Sequence, residues 1–460
     1  MPPTPRQAPS TSRVAEFIDN PRRAVWLLAA PALMGMGFQT LHSLVNMVFV
    51  GWLGEDAIAA LTFNMPLVFL SIGITFGLGS GATSVIAQYL GAEDKRGADN
   101  AAEHALLIGV VMGVVVPAFG LFFDRHIFAV LGAPAHVTDL AVAYFRAIAM
   151  GFVFTILNVQ FRAILAGEGD NRTANYLQAA GTVLNAVLDP LLMFGAGMGI
   201  AGAAWATVIS QVLVCLAFLY LMLVRRRTYL ELRPADFAFH GSMIGQILRI
   251  GLPASASMVI MSLGGMFINR IVAAFGSPAV AAFGVGGRLD QIYILPTMAL
   301  SASMVTLGGM FFGAGRLDLF RSTLRYTLWR GELIAIAMGT IFFVVAPYVM
   351  GAFCDDPTVQ ALAVSYIRVI VLSYPFVTVG MIASRAFQGL GDGMPGLIIT
   401  ALRVIVVSGG LAWALVHVFG QGLTSVWVAM VVAAAFSCVL ALTWIHRRLR
   451  QVENAAPTAG

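Results

Sequence analysis

The sequence predicts an all-α integral membrane protein, with twelve transmembrane helices in two six-helix parallel repeats around a central cleft. Three observations carry this expectation. Of the 460 residues, 59% are hydrophobic and 11% charged, and the mean hydropathy is +0.86; so few charges cannot cover a soluble surface of this size. The apolar residues fall into runs of about 20 or more, the length a helix needs to cross the hydrocarbon core. The second half of the chain also repeats the first at one fixed offset. Abundant glycine (48 residues) suits close helix packing in lipid.

Residues 1–23 are polar and contain proline, and read as an N-terminal tail. The apolar run that follows reaches Leu53, too long for a signal-peptide core, so it is a retained first helix at 24–50. Further runs at 57–89, 101–123, 137–165, 173–196 and 200–224 complete a first half, 24–224. A basic linker, 225–245, precedes runs at 246–275, 279–312, 323–347, 359–388, 394–418 and 423–446. These form a second half, 246–447, and a short tail covers 448–460. Several runs exceed the membrane thickness and imply tilted helices.

Charge sets the orientation. Arg6, Arg13, Arg22 and Arg23 lie before the first helix. Lys95 and Arg96, then Arg225, Arg226, Arg227 and Arg233, then Arg316, Arg321 and Arg325 fall in alternate loops, and Arg447, Arg448 and Arg450 follow the last helix. The intervening loops hold Glu55, Asp56, Asp124, Asp139, Asp355 and Asp356, with Arg125 their one cation. The positive-inside rule then places both termini in the cytoplasm and the chain in the inner (cytoplasmic) membrane of a cell.

The repeat offset is 222 residues. It relates Pro31 to Pro253, Gly54 to Gly276, Ala59-Ala60 to Ala281-Ala282 and Gly91-Ala92 to Gly313-Ala314. It also relates Tyr144-x-Arg146 to Tyr366-x-Arg368, and Gly167-x-Gly169-Asp170 to Gly389-x-Gly391-Asp392. An even number of helices per half gives both copies one orientation, the parallel repeat of secondary transporters, which rock around a central site.

Other classes lack their residues. Lys95 is the sole lysine and no basic run carries interleaved aromatics, so nucleic acid is not a partner. Cys215, Cys354 and Cys438 are odd in number and far apart, which argues against a disulfide framework. There is no G-x-x-x-x-G-K-[ST] loop, no H-E-x-x-H pair and no nucleophile–base cluster, so neither nucleotide hydrolysis nor an enzyme is expected, and no cofactor.

Asn46-Met-Val-Phe-Val-Gly51-Trp-Leu-Gly54 with the following Ala-Ile-Ala-Ala, Gln88-x-x-Gly91-Ala92, Asn185-Ala-Val-Leu-Asp189-Pro190 and Ala-Trp-Ala-Thr207 resemble the multidrug and toxic compound extrusion (MATE) transporters over about 24–447. The resemblance is strongest to the bacterial DinF-like and NorM-like members. It implies an antiporter that expels small amphipathic or cationic compounds in exchange for H+ or Na+. The coupling-ion positions it implies are Gln39, Asn46, Asn185, Asp189 and Thr207, with Na+, if that is the ion, held at Asp189 and Asn185. The family pattern has an aspartate where this chain has Asn46, and its acidic positions on the seventh and tenth helices have no match here.

The residues themselves single out Asp189. A carboxyl at the bilayer centre costs about 2.5–3.5 kcal/mol, so it has either a role or a partner. Asn185, four residues earlier, shares its helix face, and Pro190 frees the carbonyl of Ala186. At about 100° per residue, Gln39, His42 and Asn46 form one polar stripe on the first helix, expected to face Asp189. His42 reads either as a further proton carrier or as a neutral core histidine. Asp290 reads either as half of a buried ion pair, with Arg270, Arg288 and Asn269 at hand, or as a contact for a cationic substrate. Met34, Phe38 and Met65 add soft apolar surface that could line the substrate cleft. The expected function is therefore cation-coupled export by a protein taken as monomeric by default. The alternative is a lipid-linked oligosaccharide flippase, whose cleft would need more cations.

Overall fold

The computed structural model describes residues 13–225, 228–232, 237–353 and 356–455. Arg6, Arg226, Arg227, Arg233, Cys354 and Asp355 lie outside them. The described residues contain no strand and twelve helices long and apolar enough to span a membrane. These are α1 (Pro21–Gly51), α2 (Glu55–Gly91), α3 (Lys95–Phe122), α4 (Ala135–Glu168), α5 (Asn171–Gly195) and α6 (Gly199–Val224). They continue with α7 (Gly241–Ala273), α8 (Ser277–Gly313), α9 (Leu317–Gly351), α10 (Pro357–Gly389), α11 (Met394–His417) and α12 (Thr424–Asn454).

Each expected run has its helix, but α3, α7 and α9 start several residues earlier than the apolar pattern suggested. Hydropathy finds the part of a helix that suits hydrocarbon; polar turns such as Lys95–Asn100 or Leu317–Ser322 continue the same hydrogen-bond ladder beyond it. Two short helices, Val14–Asp19 and Asp124–Val130, have no counterpart in the hydropathy reading.

The chain forms two compact units. Unit 1 holds the described part of residues 1–19 together with Met34–Gly251, and unit 2 holds Asn20–Leu33 with Leu252–Gly460. They differ from the halves of the sequence by two segments: the start of α1 belongs with unit 2, and the start of α7 with unit 1. Glycines explain the second. Gly81 on α2 has so little room that an added Cβ would lie 2.3 Å from the Ile247 carbonyl oxygen, and one on Gly251 would lie 2.9 Å from that of Gly77. Only bare backbone lets α7 approach α2 so closely.

In unit 1, α4 is the central helix and packs on α2, α3, α5 and α6. Polar side chains cross the contacts. Asn64 Nδ2 on α2 donates to Ala141 O (3.2 Å), Thr83 Oγ1 to Ala163 O (3.0 Å), and Asn158 Nδ2 on α4 to Gln211 Oε1 on α6 (2.6 Å). The segment after α6 is pinned to the same unit. Glu168 Oε2 accepts from the Tyr229 amide (2.8 Å), Asp99 Oδ1 from that of Glu231 (2.9 Å), and His104 Nε2 from that of His240 (2.9 Å).

In unit 2 the corresponding helix, α10, packs on α8, α9 and α12. Its core is more aromatic: Phe283 stacks on Trp427, and Tyr293 on Tyr374 at 3.8 Å between ring centroids.

The 222-residue repeat extends to the backbone. Gly169 (φ 87°) and Gly391 (φ 82°) close α4 and α10 in the left-handed conformation that glycine adopts at least cost. Beyond α2 the same conformation falls on Glu93 (φ 60°), and beyond α8 on Gly315 (φ 69°). In both places two amides turn back onto the helix: Glu93 N to Leu90 O and Asp94 N to Tyr89 O, Gly315 N to Phe312 O and Arg316 N to Phe311 O.

Candidate functional site: a buried carboxylate in unit 1

Asp189 has no solvent-exposed surface. It sits at the last turn of the regular part of α5, one residue before Pro190. Proline removes an amide from the ladder, and the next five residues, Leu191–Gly195, widen into a π-helical turn closed by Ala196 N to Leu191 O (2.9 Å). Such widened turns recur at functional sites because they re-aim the side chains around them.

Three side-chain nitrogens converge on the carboxylate. Asn185 Nδ2, one turn earlier on α5, donates to Oδ1 at 3.1 Å. Asn46 Nδ2, on α1, donates to Oδ2 at 2.9 Å. His42 Nε2, one turn before Asn46 and nine-tenths buried, faces Oδ2 at 3.4 Å without the alignment of a hydrogen bond. His42 and Asn46 are four residues apart and so share one face of α1. All four residues belong to unit 1.

The remaining site residues read from the sequence stand apart from this cluster. Gln39 is exposed and joins none of the bonds to Asp189. It lies seven residues before Asn46, about 10.5 Å along the helix axis, beyond the reach of one carboxylate. Thr207 Oγ1 on α6 donates to Ala203 O of its own helix (3.1 Å). Met34, Phe38 and Met65 are exposed on α1 and α2 of unit 1. Tyr144, which the sequence marks only through the repeat, lies on α4 within electrostatic range of Asp189.

Asp290 is in unit 2, on α8, and its partners are tyrosines. Tyr374 Oη donates to Oδ1 at 2.7 Å, and Tyr366 Oη donates to Oδ2. Among the described residues the expected ion pair with Arg270 or Arg288 is not formed. Helix α10 presents both hydroxyls, and α8 is packed against it along its length, so phenols fill the position that charge counting gave to arginine.

Arg146, the repeat mate of Arg368, has a structural partner outside the spans. Its Nε donates to Asp124 Oδ2 at 2.5 Å. Burial pulls the Asp124 carboxyl upward, but the Arg146 bond, the Arg125 amide and the two arginine charges outweigh it and hold the group below the usual carboxylate range. Arg368 instead lies over the Phe343 ring, 5.4 Å from its centroid.

The comparisons with known proteins agree with this architecture. The sequence model of the MatE family matches twice, at residues 31–191 and 253–413, two stretches separated by the same 222 residues. A probable multidrug resistance protein, YoeA of Bacillus subtilis, is 28% identical over 91% of this chain and 92% of its own. A crystal structure of MATE in the bent conformation superposes with a TM-score of 0.93 at 30% identity, covering 98% of this chain and all of that one. A MOP superfamily transporter from Pyrococcus furiosus, described with a binding pocket of reversed polarity, gives 0.92 at 30% identity over 96% of this chain and 99% of that one.

Proposed function

Because the chain belongs to the MatE family of membrane transporters, we propose that it exports amphipathic, cationic compounds by antiport against a cation, with Asp189 as the coupling group. The observation that carries this reading is the Asp189 cluster. A carboxylate wholly removed from solvent in a membrane helix is held by side chains from a second helix, α1, so a change in its charge state alters the contact between α1 and α5. Coupling requires such a device, because ion and drug must bias the conformational equilibrium in opposite directions.

The groups around the carboxylate bear on the ion. Three nitrogens face its two oxygens, whereas a hard metal cation is held by oxygen ligands. Sodium there would need both asparagine amides turned to present their oxygens, whereas a proton needs only one carboxylate oxygen. Exposed Met34, Phe38 and Met65 supply adaptable apolar surface for a drug. The arginine distribution supports an inner-membrane protein with both termini in the cytoplasm. The flippase reading is not favoured: relatives that cover most of the chain are named as multidrug resistance or export proteins.

The test is efflux of a fluorescent cationic dye from proteoliposomes, comparing wild type with Asp189→Asn under an imposed proton gradient and then a sodium gradient. Proton-driven efflux lost in the variant is the expected result. Sodium-driven efflux lost in the variant would keep the site and change the ion. Undiminished efflux by a folded Asp189→Asn protein would move coupling elsewhere, and no dye movement by wild type would overturn the function.

A further inference from the structure

We propose that the basic end of unit 2 carries a binding site for the phosphate of an anionic phospholipid, centred on Tyr326. Trp26 Nε1, from the start of α1, donates to Tyr326 Oη at 3.0 Å, and Arg330 Nε donates to the same oxygen at 3.3 Å. With two donors on the oxygen, the phenol's own proton is directed away from both and available to an acceptor. The Arg22 and Arg330 guanidinium carbons lie 5.7 and 5.4 Å from the Tyr326 ring centroid, and that of Arg330 lies 4.7 Å from the Trp329 ring. Stacking fixes both cations beside one hydroxyl donor.

Among the described residues their charge has no acidic partner. Arg316 and Arg321, at the same end of α9, are paired with Asp318 and Glu453. Neither Arg22 nor Arg330 forms an ion pair among the described residues, and Glu332, two positions from Arg330, makes none with it. Among the described residues only the Nε of Arg330 donates a hydrogen bond, which leaves its two outer nitrogens to fork onto a phosphate.

The surface beside this cluster selects the source of the phosphate. Trp329, Leu333 and Ile336 follow one another along one face of α9, all exposed, and run from the arginines into the apolar span. Tryptophan at such a boundary marks the headgroup level of a bilayer. Charge followed by an apolar strip matches the order of a phospholipid, phosphate then acyl chain; a soluble anion would match only the first part.

Native mass spectrometry of the full-length protein in detergent, titrated with phosphatidylglycerol or phosphatidylcholine, tests the site. Wild type is expected to retain phosphatidylglycerol about tenfold better, Arg22→Gln/Arg330→Gln to lose that preference, and Tyr326→Phe to weaken it. A charge-matched control, Arg447→Gln/Arg450→Gln, is expected to keep it. Three results would each overturn the proposal: an undiminished preference in the Arg22/Arg330 variant, an equal loss in the control, or displacement of the lipid by inorganic phosphate at matching concentration. Should the double variant unfold, Arg22→Lys/Arg330→Lys retains charge without the fork and is expected to hold the lipid more weakly than wild type; equal retention would count against the site.

Discussion

Asn46 Nδ2 donates to Asp189 Oδ2 across 2.9 Å, and this bond ties α1 to the acid buried on α5. A typical intramolecular hydrogen bond contributes about 0.5–1.5 kcal/mol to stability. Asn46→Leu is therefore expected to lower unfolding stability by that amount in wild type and by less in an Asp189→Asn background. A double-mutant cycle on chemical unfolding in detergent measures the difference. A coupling above about 0.5 kcal/mol is the expected result, and additive costs would show that the bond is not made.

Glu93 stands in the left-handed conformation where its repeat mate is Gly315. For a residue with a Cβ this costs about 1–2 kcal/mol, of which glycine's greater unfolded-state freedom returns about 0.5–1. Glu93→Gly is expected to stabilise the protein by the remainder and raise the thermal midpoint. Gly315→Ala should lower it by a similar step. A lower midpoint for Glu93→Gly would show that its side chain stabilises the turn more than the strain costs.

Arg146→Gln tests the Asp124 pair. The folded protein holds this carboxyl below its unfolded value, so the stabilisation is present above that value, near pH 3.9, and is lost as pH falls through the folded value. Arg146 is half-exposed, which keeps the effect below about 1 kcal/mol. The variant should be slightly less stable at neutral pH, and its gap to wild type should close as the solution is acidified below about pH 4. A gap constant with pH would assign the loss to packing.

Both oxygens of Asp290 are occupied by tyrosine hydroxyls. Asp290→Asn sets an amide donor against a phenol and is expected to lower the unfolding midpoint, as Tyr374→Phe should, while the apparent KM for dye stays unchanged. A raised KM without loss of stability would instead identify Asp290 as a substrate contact.

What the sequence made legible follows from what is local in it. Apolar length marks every span, and the repeat singles out Gly169 and Gly391, the two glycines that close α4 and α10 with positive φ. The pairing Asn185–Asp189 is a matter of one helical turn, and His42 and Asn46 share a face for the same reason. Gln39 shares that face too, but helical periodicity gives direction, not height, and seven residues of rise carry it past Asp189. The tyrosines on Asp290 were out of reach because they stand 76 and 84 residues away on another helix, and only packing selects among such partners. Nor does hydropathy show the carboxylates and histidine that hold the segment after α6, since those bonds go to backbone amides that every residue carries.

The membership of Asn20–Leu33 in unit 2 has a consequence for biosynthesis. Trp26 leaves the ribosome well before its partner, because Tyr326, which receives its hydrogen bond, is made 300 residues later. At about 5–20 residues per second, that is a wait of roughly 15–60 s. Unit 1 has its last segment as soon as Gly251 has been added. The opening turns of α1, by contrast, must enter the bilayer without the neighbours they will finally pack against, and during that interval lipid or the insertion machinery has to cover them.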